Sequence, residues 1–233
     1  MKIVSSGGVS AISIHPVSNE PSDLVGNFQK AARWVLQNIL LFPIMRFYSK
    51  SFTVSGLENL KSLKGPCVYV ANHSSHADTG IILRALPEYQ RESLSIAAAA
   101  DYFYKNKWIG AFMTLLLNTF PFDRKQPLLG FRKAKEVLRE GNSLLIFPEG
   151  TRSTPLSHAH FKPGFALLAR QLGVPVVPIG IEGAYEMLPK GTALPKKTDV
   201  RISFGEPIYP AGRTSEELAD VLEERVRELS RVA

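Results

Sequence analysis

One cysteine, Cys67, stands in 233 residues, which rules out an intramolecular disulfide framework and fits a reducing compartment. It lies in an apolar run, where a thiol behaves as a small, inert core side chain. Long apolar runs are missing too. The nearest candidates for membrane spans, Trp34 to Tyr48 and Trp108 to Phe122, are shorter than the roughly 18 apolar residues a crossing needs. Gln37, Asn38 and Pro43 interrupt the first, and Thr114, Asn118, Thr119 and Pro121 the second. No transmembrane helix is predicted. Met1 to Ser22 lacks an apolar stretch of signal-peptide length, so no secretory leader is expected, and its Ser, Gly and Pro content predicts a flexible extension over residues 1–23. No repeat and no linker-like stretch divides the interior, which leaves a single domain over residues 24–233. Acidic residues are in deficit: 28 Lys and Arg face 21 Asp and Glu, a formal charge of +7. That sign favours an anionic partner, whether nucleic acid, a membrane surface or a phosphorylated substrate.

What is present suffices for a full core, since 45% of the residues are hydrophobic. Residues 24–50 read as an amphipathic helix. Phe28, Ala31, Ala32, Val35, Ile39, Leu40 and Phe42 recur at helical spacing among Lys30, Arg33, Arg46 and Lys50. Such a segment either lies in a lipid interface or packs on the core. Over residues 51–233, strands predicted at Cys67–Ala71, Leu94–Ala98, Ser143–Phe147 and Val174–Ile181 alternate with helices at Asp78–Leu86, Leu128–Glu140 and Pro163–Gln171. This order is that of an α/β fold, a largely parallel, mixed sheet flanked by helices. Val200, Ile202 and Phe204 alternate with Arg201 and Ser203, which predicts a half-exposed strand. The last helix opens on Thr214 and Glu217 at capping-box spacing, with Leu218, Val221, Leu222, Val226 and Leu229 as its buried stripe.

Two polar clusters follow apolar strands, where an α/β sheet presents its ligands. The first runs Asn72-His73-Ser74-Ser75-His76-Ala77-Asp78 and the second Phe147-Pro148-Glu149-Gly150-Thr151-Arg152-Ser153. A histidine at a strand end, with a carboxylate five residues on at a helix start, forms a base whose second ring nitrogen stays free. No G-x-S-x-G elbow accompanies it. The pair must therefore activate something brought to it, either water or a substrate hydroxyl. In the second cluster Arg152 offers a fork for phosphate oxygens, the amides of Gly150 and Thr151 offer further donors, and Glu149 could hold a polyol or the arginine.

Asn72, His73, Ser75 and Asp78 resemble the first motif of the glycerolipid acyltransferases, the 1-acylglycerol-3-phosphate acyltransferase family. Phe147 to Ser153 is similar to that family's third motif at every position, and Val174 to Ile179 to its fourth. Phe122-Asp123-Arg124 keeps the ending of the second motif, with Asn118 in place of a usual glycine and Pro121 of a usual apolar residue. Ala97 to Ala100 stand where related enzymes often carry a lysine. The resemblance implies that His73 takes the proton of a lysophospholipid hydroxyl as it attacks an acyl thioester, carried on coenzyme A or on acyl-carrier protein. It implies that Asp78 orients His73, and that Arg124, Glu149 and Arg152 grip a phosphoglycerol head. His76 fills a position that is commonly aromatic there.

Other readings stay open on the residues alone. One is an acyltransferase acting on another lysophospholipid or lipid acceptor, a second a hydrolase using the same His-Asp pair on water, and a third a non-catalytic lipid-binding module. His73, His76, Asp78, His158 and His160 fit no closed metal motif, so neither metal nor cofactor is expected. The absence of a nucleic-acid motif turns the basic excess toward an anionic membrane and phosphate-bearing substrates, which predicts a peripheral protein on the cytoplasmic face of a membrane.

Overall fold

The structure, a computed structural model, describes residues 21–99, 106–123, 125–153, 160–189, 191–192 and 194–231. Residues 1–20 of the extension predicted over 1–23, Ala100, Arg124 and His158 lie outside them, and residues 21–23 belong to a helix and not to a flexible extension. The helical pattern near the amino terminus forms α1 (Pro21–Leu36), a π-turn (Gln37–Leu41) and α2 (Phe42–Tyr48). Then come β1 (Ser49–Ser55), β2 (Val68–Ala71), α3 (Ala77–Ala85), α4 (Glu88–Glu92), β3 (Leu94–Ala99), α5 (Lys107–Leu117) and β4 (Thr119–Phe122). The chain continues through α6 (Pro127–Arg139), β5 (Ser143–Ile146), α7 (Gly164–Leu172), β6 (Val176–Glu182), α8 (Ala184–Met187), β7 (Thr198–Phe204) and α9 (Ser215–Leu229).

The strands form one mixed sheet in the order β1-β7-β6-β2-β5-β3-β4. β6, β2, β5, β3 and β4 run parallel, while β7 pairs antiparallel to β6 and parallel to β1. Alternation on β2 separates the layers. Tyr69 and Ala71 join the cluster with Ile81, Leu83 and Met45 on one face. Val68 and Val70 join Phe165, Leu168, Leu218 and Leu222 on the other. A central strand covered on both sides has no polar face, which is why β2, β5 and β6 read as unbroken apolar runs. The Thr214–Glu217 capping box that opens α9 is present. Leu218, Leu222 and Val226 of its expected stripe are buried, but Val221 is 37% exposed, since it sits at the flank of the contact with the sheet.

Two strands were not anticipated. β1 alternates Phe52 and Val54 with Ser and Thr, and pairs with β7 at the edge of the sheet. β4 carries Pro121, which an edge strand tolerates because one side of it needs no ladder bond. Asn118, just before β4, has φ 57°. That left-handed cap explains an asparagine where glycine is usual, since both residue types adopt it at a helix end. Its Nδ2 also donates to Leu94 O at 2.8 Å, tying α5 to β3.

The amino-terminal segment is helical as expected, but its faces are not those of the apolar spacing. Phe28 is 73% and Ile39 72% exposed, while Leu36, Leu41, Phe42 and Met45 pack on the core beside two polar contacts. Gln37, buried, donates to Leu116 O at 2.9 Å, and Arg33 Nε donates to Leu115 O at 3.1 Å. These two side chains satisfy carbonyls at the carboxyl end of α5 that the helix leaves unpaired.

Candidate active site

His73 and Asp78 meet because β2 ends at Ala71 and α3 begins at Ala77, so a short loop brings His73 to the first turn of α3, where Asp78 stands. His73 Nδ1 lies 2.8 Å from Asp78 Oδ2. The same oxygen accepts the backbone N–H groups of Ser74 and Ser75, at 2.8 and 2.9 Å. Asp78 is fully buried in the first turn of α3, where a carboxylate gains from the helix dipole. Oδ1 has no hydrogen-bond partner among the described residues. With Nδ1 donating to Asp78, the imidazole presents Nε2 as the acceptor. The ring stacks on Phe147 from the neighbouring strand end, centroids 4.1 Å apart and planes 21° from parallel, which fixes its tilt.

Other polar side chains hold this loop, and sequence reasoning did not find their roles. Glu149 Oε1 accepts His73 N–H at 2.8 Å, Ser153 Oγ donates to Glu149 Oε2, and Ser153 N–H donates to His73 O at 2.8 Å. The second cluster thus clamps the first. Burial raises the Glu149 carboxyl above its ordinary value, against the hydrogen bonds that lower it. Asn72 exchanges two bonds with Ile181 at the end of β6, at 2.8 and 2.9 Å. Ser75 Oγ donates to Leu188 O at 2.8 Å. These partners lie 76 to 113 residues away in sequence, so only the strand order reveals them.

The remaining expected site residues fall around this frame. Gly150 has φ 70°, a turn suited to glycine, and its N–H bonds back to Phe147 O at 3.1 Å, so that amide is engaged within the protein. Thr151 is exposed and Arg152 half-buried. Burial lowers His76 from 6.5 to about 4, and the Arg152 guanidinium pushes the same way, so His76 is neutral at physiological pH. Burial pushes the Cys67 thiol up to about 11, as an inert core cysteine requires. Among the described residues no group of three or more His, Cys, Asp and Glu is placed to hold a metal ion. A pocket of about 520 Å³ opens beside His73, with Asn72, Ser74, Glu149 and Ser153 among its lining residues.

The depressed His76 has a measurable consequence. Between pH 6.5 and about 4 the unfolded chain binds a proton at His76 that the folded chain does not, so stability falls as pH drops through that window. His76→Phe removes this component. Its melting temperature should decline less than that of the parent protein between pH 7 and 4, as followed by scanning fluorimetry.

Residues 51–182, more than half of the chain, match the model of the Acyltransferase family. The chain belongs to that family. Both polar clusters lie inside the matched residues. It is 32% identical over 195 residues to a chloroplastic 1-acyl-sn-glycerol-3-phosphate acyltransferase of Brassica napus, covering 82% of this chain and 53% of that one. To the protein of that name in Bacillus subtilis it is 27% identical over 196 residues, covering 76% and 95%. It spans about half the length of several curated relatives that it matches. The fold is that of the 1-acyl-sn-glycerophosphate (LPA) acyltransferase PlsC from Thermotoga maritima, with a TM-score of 0.65, 24% identity, and coverage of 88% of this chain and 95% of that one. The acyltransferase match ends at the last residue of β6, so β7 and α9 stand beyond it.

Proposed function

We propose that this protein transfers a fatty acyl group from a thioester of coenzyme A or acyl-carrier protein to the sn-2 hydroxyl of 1-acyl-glycerol-3-phosphate, giving phosphatidate. The observation that carries the reading is a histidine bonded to a fully buried aspartate, its second nitrogen free beside a pocket, next to a loop bearing Arg152. In the step, His73 Nε2 takes the hydroxyl proton as the oxygen attacks the thioester carbonyl. The new C–O bond forms, the C–S bond breaks, and the thiolate leaves with the electron pair. Its acid has a pKa of about 8.5, so departure needs little protonation, and the proton on His73 passes to the released thiolate or to solvent. Asp78 compensates the positive charge on the ring while it lasts. Arg152 and Thr151, with Arg124 from the second motif, hold the acceptor phosphate. Glu149 and Gly150 shape the loop that aims them. Every proton and electron pair in this step is accounted for by substrates and side chains, without a cofactor.

The same reading places the protein on the cytoplasmic face of a membrane. Among the described residues no helix is long and apolar enough to cross one. Phe28, Trp34, Ile39 and Phe47 of the amino-terminal helices are exposed, as are Trp108, Ile109 and Phe112 of α5, on which those helices dock. Lys30, Arg46, Lys50 and Lys107 supply the charge to meet anionic lipid. Binding to vesicles of phosphatidylglycerol and phosphatidylcholine should weaken at least tenfold between 50 and 500 mM salt, roughly as several screened charge contacts require. Sedimentation that is unchanged over that range contradicts the electrostatic part.

Mass-spectrometric assay of the purified protein against a panel of lysophospholipids, with both donor types, tests the activity. Lysophosphatidate should be acylated fastest. Failure to acylate any lysophospholipid or glycerol phosphate, where a known acyltransferase succeeds, rejects the proposal.

A further inference from the structure

We propose that the pocket on the β6–β7–β1 side of His73 seats the donor's pantetheine arm, the neutral diamide chain that carries the thioester, and excludes the acceptor's phosphate. This rests on the acyl-transfer reading and names where its second substrate lies. Two substrates must converge on His73, and the sheet order gives them separate approaches. β2 has β5, β3 and β4 on one side, and the loop after β5 carries Thr151 and Arg152, which do not line the pocket, between Glu149 and Ser153, which do. The pocket opens on the other side, over β6, β7 and β1.

Its walls are a deliberate use of strand alternation. Phe52 and Val54 of β1, and Val200 and Ile202 of β7, pack into the core. Ser51, Thr53, Asp199 and Arg201, which alternate with them, line the pocket, along with part of Val200. Register pairs Ser51 with Asp199, Thr53 with Arg201, and Arg201 with Glu182. Ser51 Oγ donates to Asp199 Oδ1 at 2.6 Å, and Arg201 is 3.1 Å from Glu182. Ser230 and Arg231 close one end, because the carboxyl end of α9 lies against β6 at Gly180. A side chain at that glycine would put its Cβ 2.3 Å from the Leu229 carbonyl carbon.

The chemistry of this lining selects the occupant. Glu182, Glu186 and Asp199 outnumber Arg201 and Arg231, and the carboxyl end of a 15-residue helix adds a negative partial charge. A phosphate monoester is repelled there. A chain of two amides is suited to it, because the carboxylates accept its N–H groups while Arg201, Arg231 and the Tyr185 hydroxyl donate to its carbonyls. The volume falls within the roughly 300–1,000 Å³ that encloses a small organic ligand. His73 and Ser74 are among the lining residues, so a thioester seated in the pocket can reach the base.

The test uses an S-alkyl pantetheine thioether, which has the arm but no acyl group to transfer. Calorimetry should show it binding the full-length protein, and Thr53→Trp should weaken that binding at least tenfold. Thr53 is an exposed residue of the edge strand, where tryptophan is well tolerated. Glu186→Trp, on an exposed position of α8 that also lines the pocket, should act in the same way and serves if the first variant does not fold. In turnover, either variant should raise the KM for an acyl-pantetheine donor tenfold and leave the KM for lysophosphatidate within twofold. Unchanged thioether binding in both variants overturns the assignment. A rise in the acceptor KM alone also overturns it and gives the pocket to the acceptor. Because binding is read without turnover, Thr53-dependent binding in a protein that transfers no acyl group would uphold the site and reject the acyl-transfer reading.

Discussion

Alanine at position 73 should lower kcat for acyl transfer about a thousandfold, with the fold retained. A positioned general base contributes about 10²–10⁴ in rate, and a thousandfold loss corresponds to about 4 kcal/mol of activation free energy. The middle of that range is expected because binding and alignment of the two substrates survive the change. His73 is partly exposed at the pocket, its side chain at 21%. Truncation therefore opens onto solvent and makes no sealed cavity. The lost stacking on Phe147 and the lost bond to Asp78 should cost about 1–2 kcal/mol of stability. That is a fall of a few degrees in melting temperature for a domain of this size. Stopped-time assays beside a melting curve check both parts, and a variant with more than a tenth of parental kcat removes His73 as the base.

The second large effect separates charge from hydrogen bonding at Asp78. Among the described residues Oδ2 accepts three hydrogen bonds and Oδ1 none. Asparagine can therefore put its oxygen where Oδ2 stands, keep the Ser74 and Ser75 N–H groups satisfied and still receive Nδ1–H of His73. What it lacks is the negative charge opposite the transient imidazolium. At the effective dielectric of about 20 that suits protein sites, a charge pair some 4 Å apart is worth about 4 kcal/mol before screening and relaxation. Asp78→Asn should accordingly lose about 10²–10³ in kcat with little change in KM. Asp78→Ala should lose as much activity and also destabilise, because two buried N–H groups are left without an acceptor at roughly 1–3 kcal/mol each. Relief from burying a carboxylate offsets part of this. Denaturant titration of the two variants distinguishes them. Equal stability would mean that the Asp78 oxygen does not hold the loop.

The sequence made the His73–Asp78 pair legible because the partners are only five residues apart, between the end of an unbroken apolar strand and the first turn of a helix. β2, β3, β5 and β6 were legible for a related reason: strands covered on both faces leave no polar interruption. β4 was hidden by Pro121 and by its continuity with the apolar α5. The amino-terminal helix was foreseen and its faces were not, because Gln37 is buried to reach a carbonyl of another helix, a need invisible in its own segment. Glu149, Asn72 and Ser75 act through partners far along the chain, and their roles depend on β5 and β6 flanking β2. The alternation of Arg201 with Val200 and Ile202 correctly marked a two-faced strand. Its polar face reads as solvent in sequence and lines the pocket beside His73 in the structure.

The most direct measurement follows thiol release and acylated glycerolipid together, with and without lysophosphatidate, at one donor concentration. If His73 and Asp78 activate an acceptor hydroxyl, thiol and phosphatidate appear in equal amounts and thiol release nearly stops when the acceptor is withheld. Thiol release at an undiminished rate without acceptor, matched by free fatty acid, would show that the pair activates water and would contradict the account.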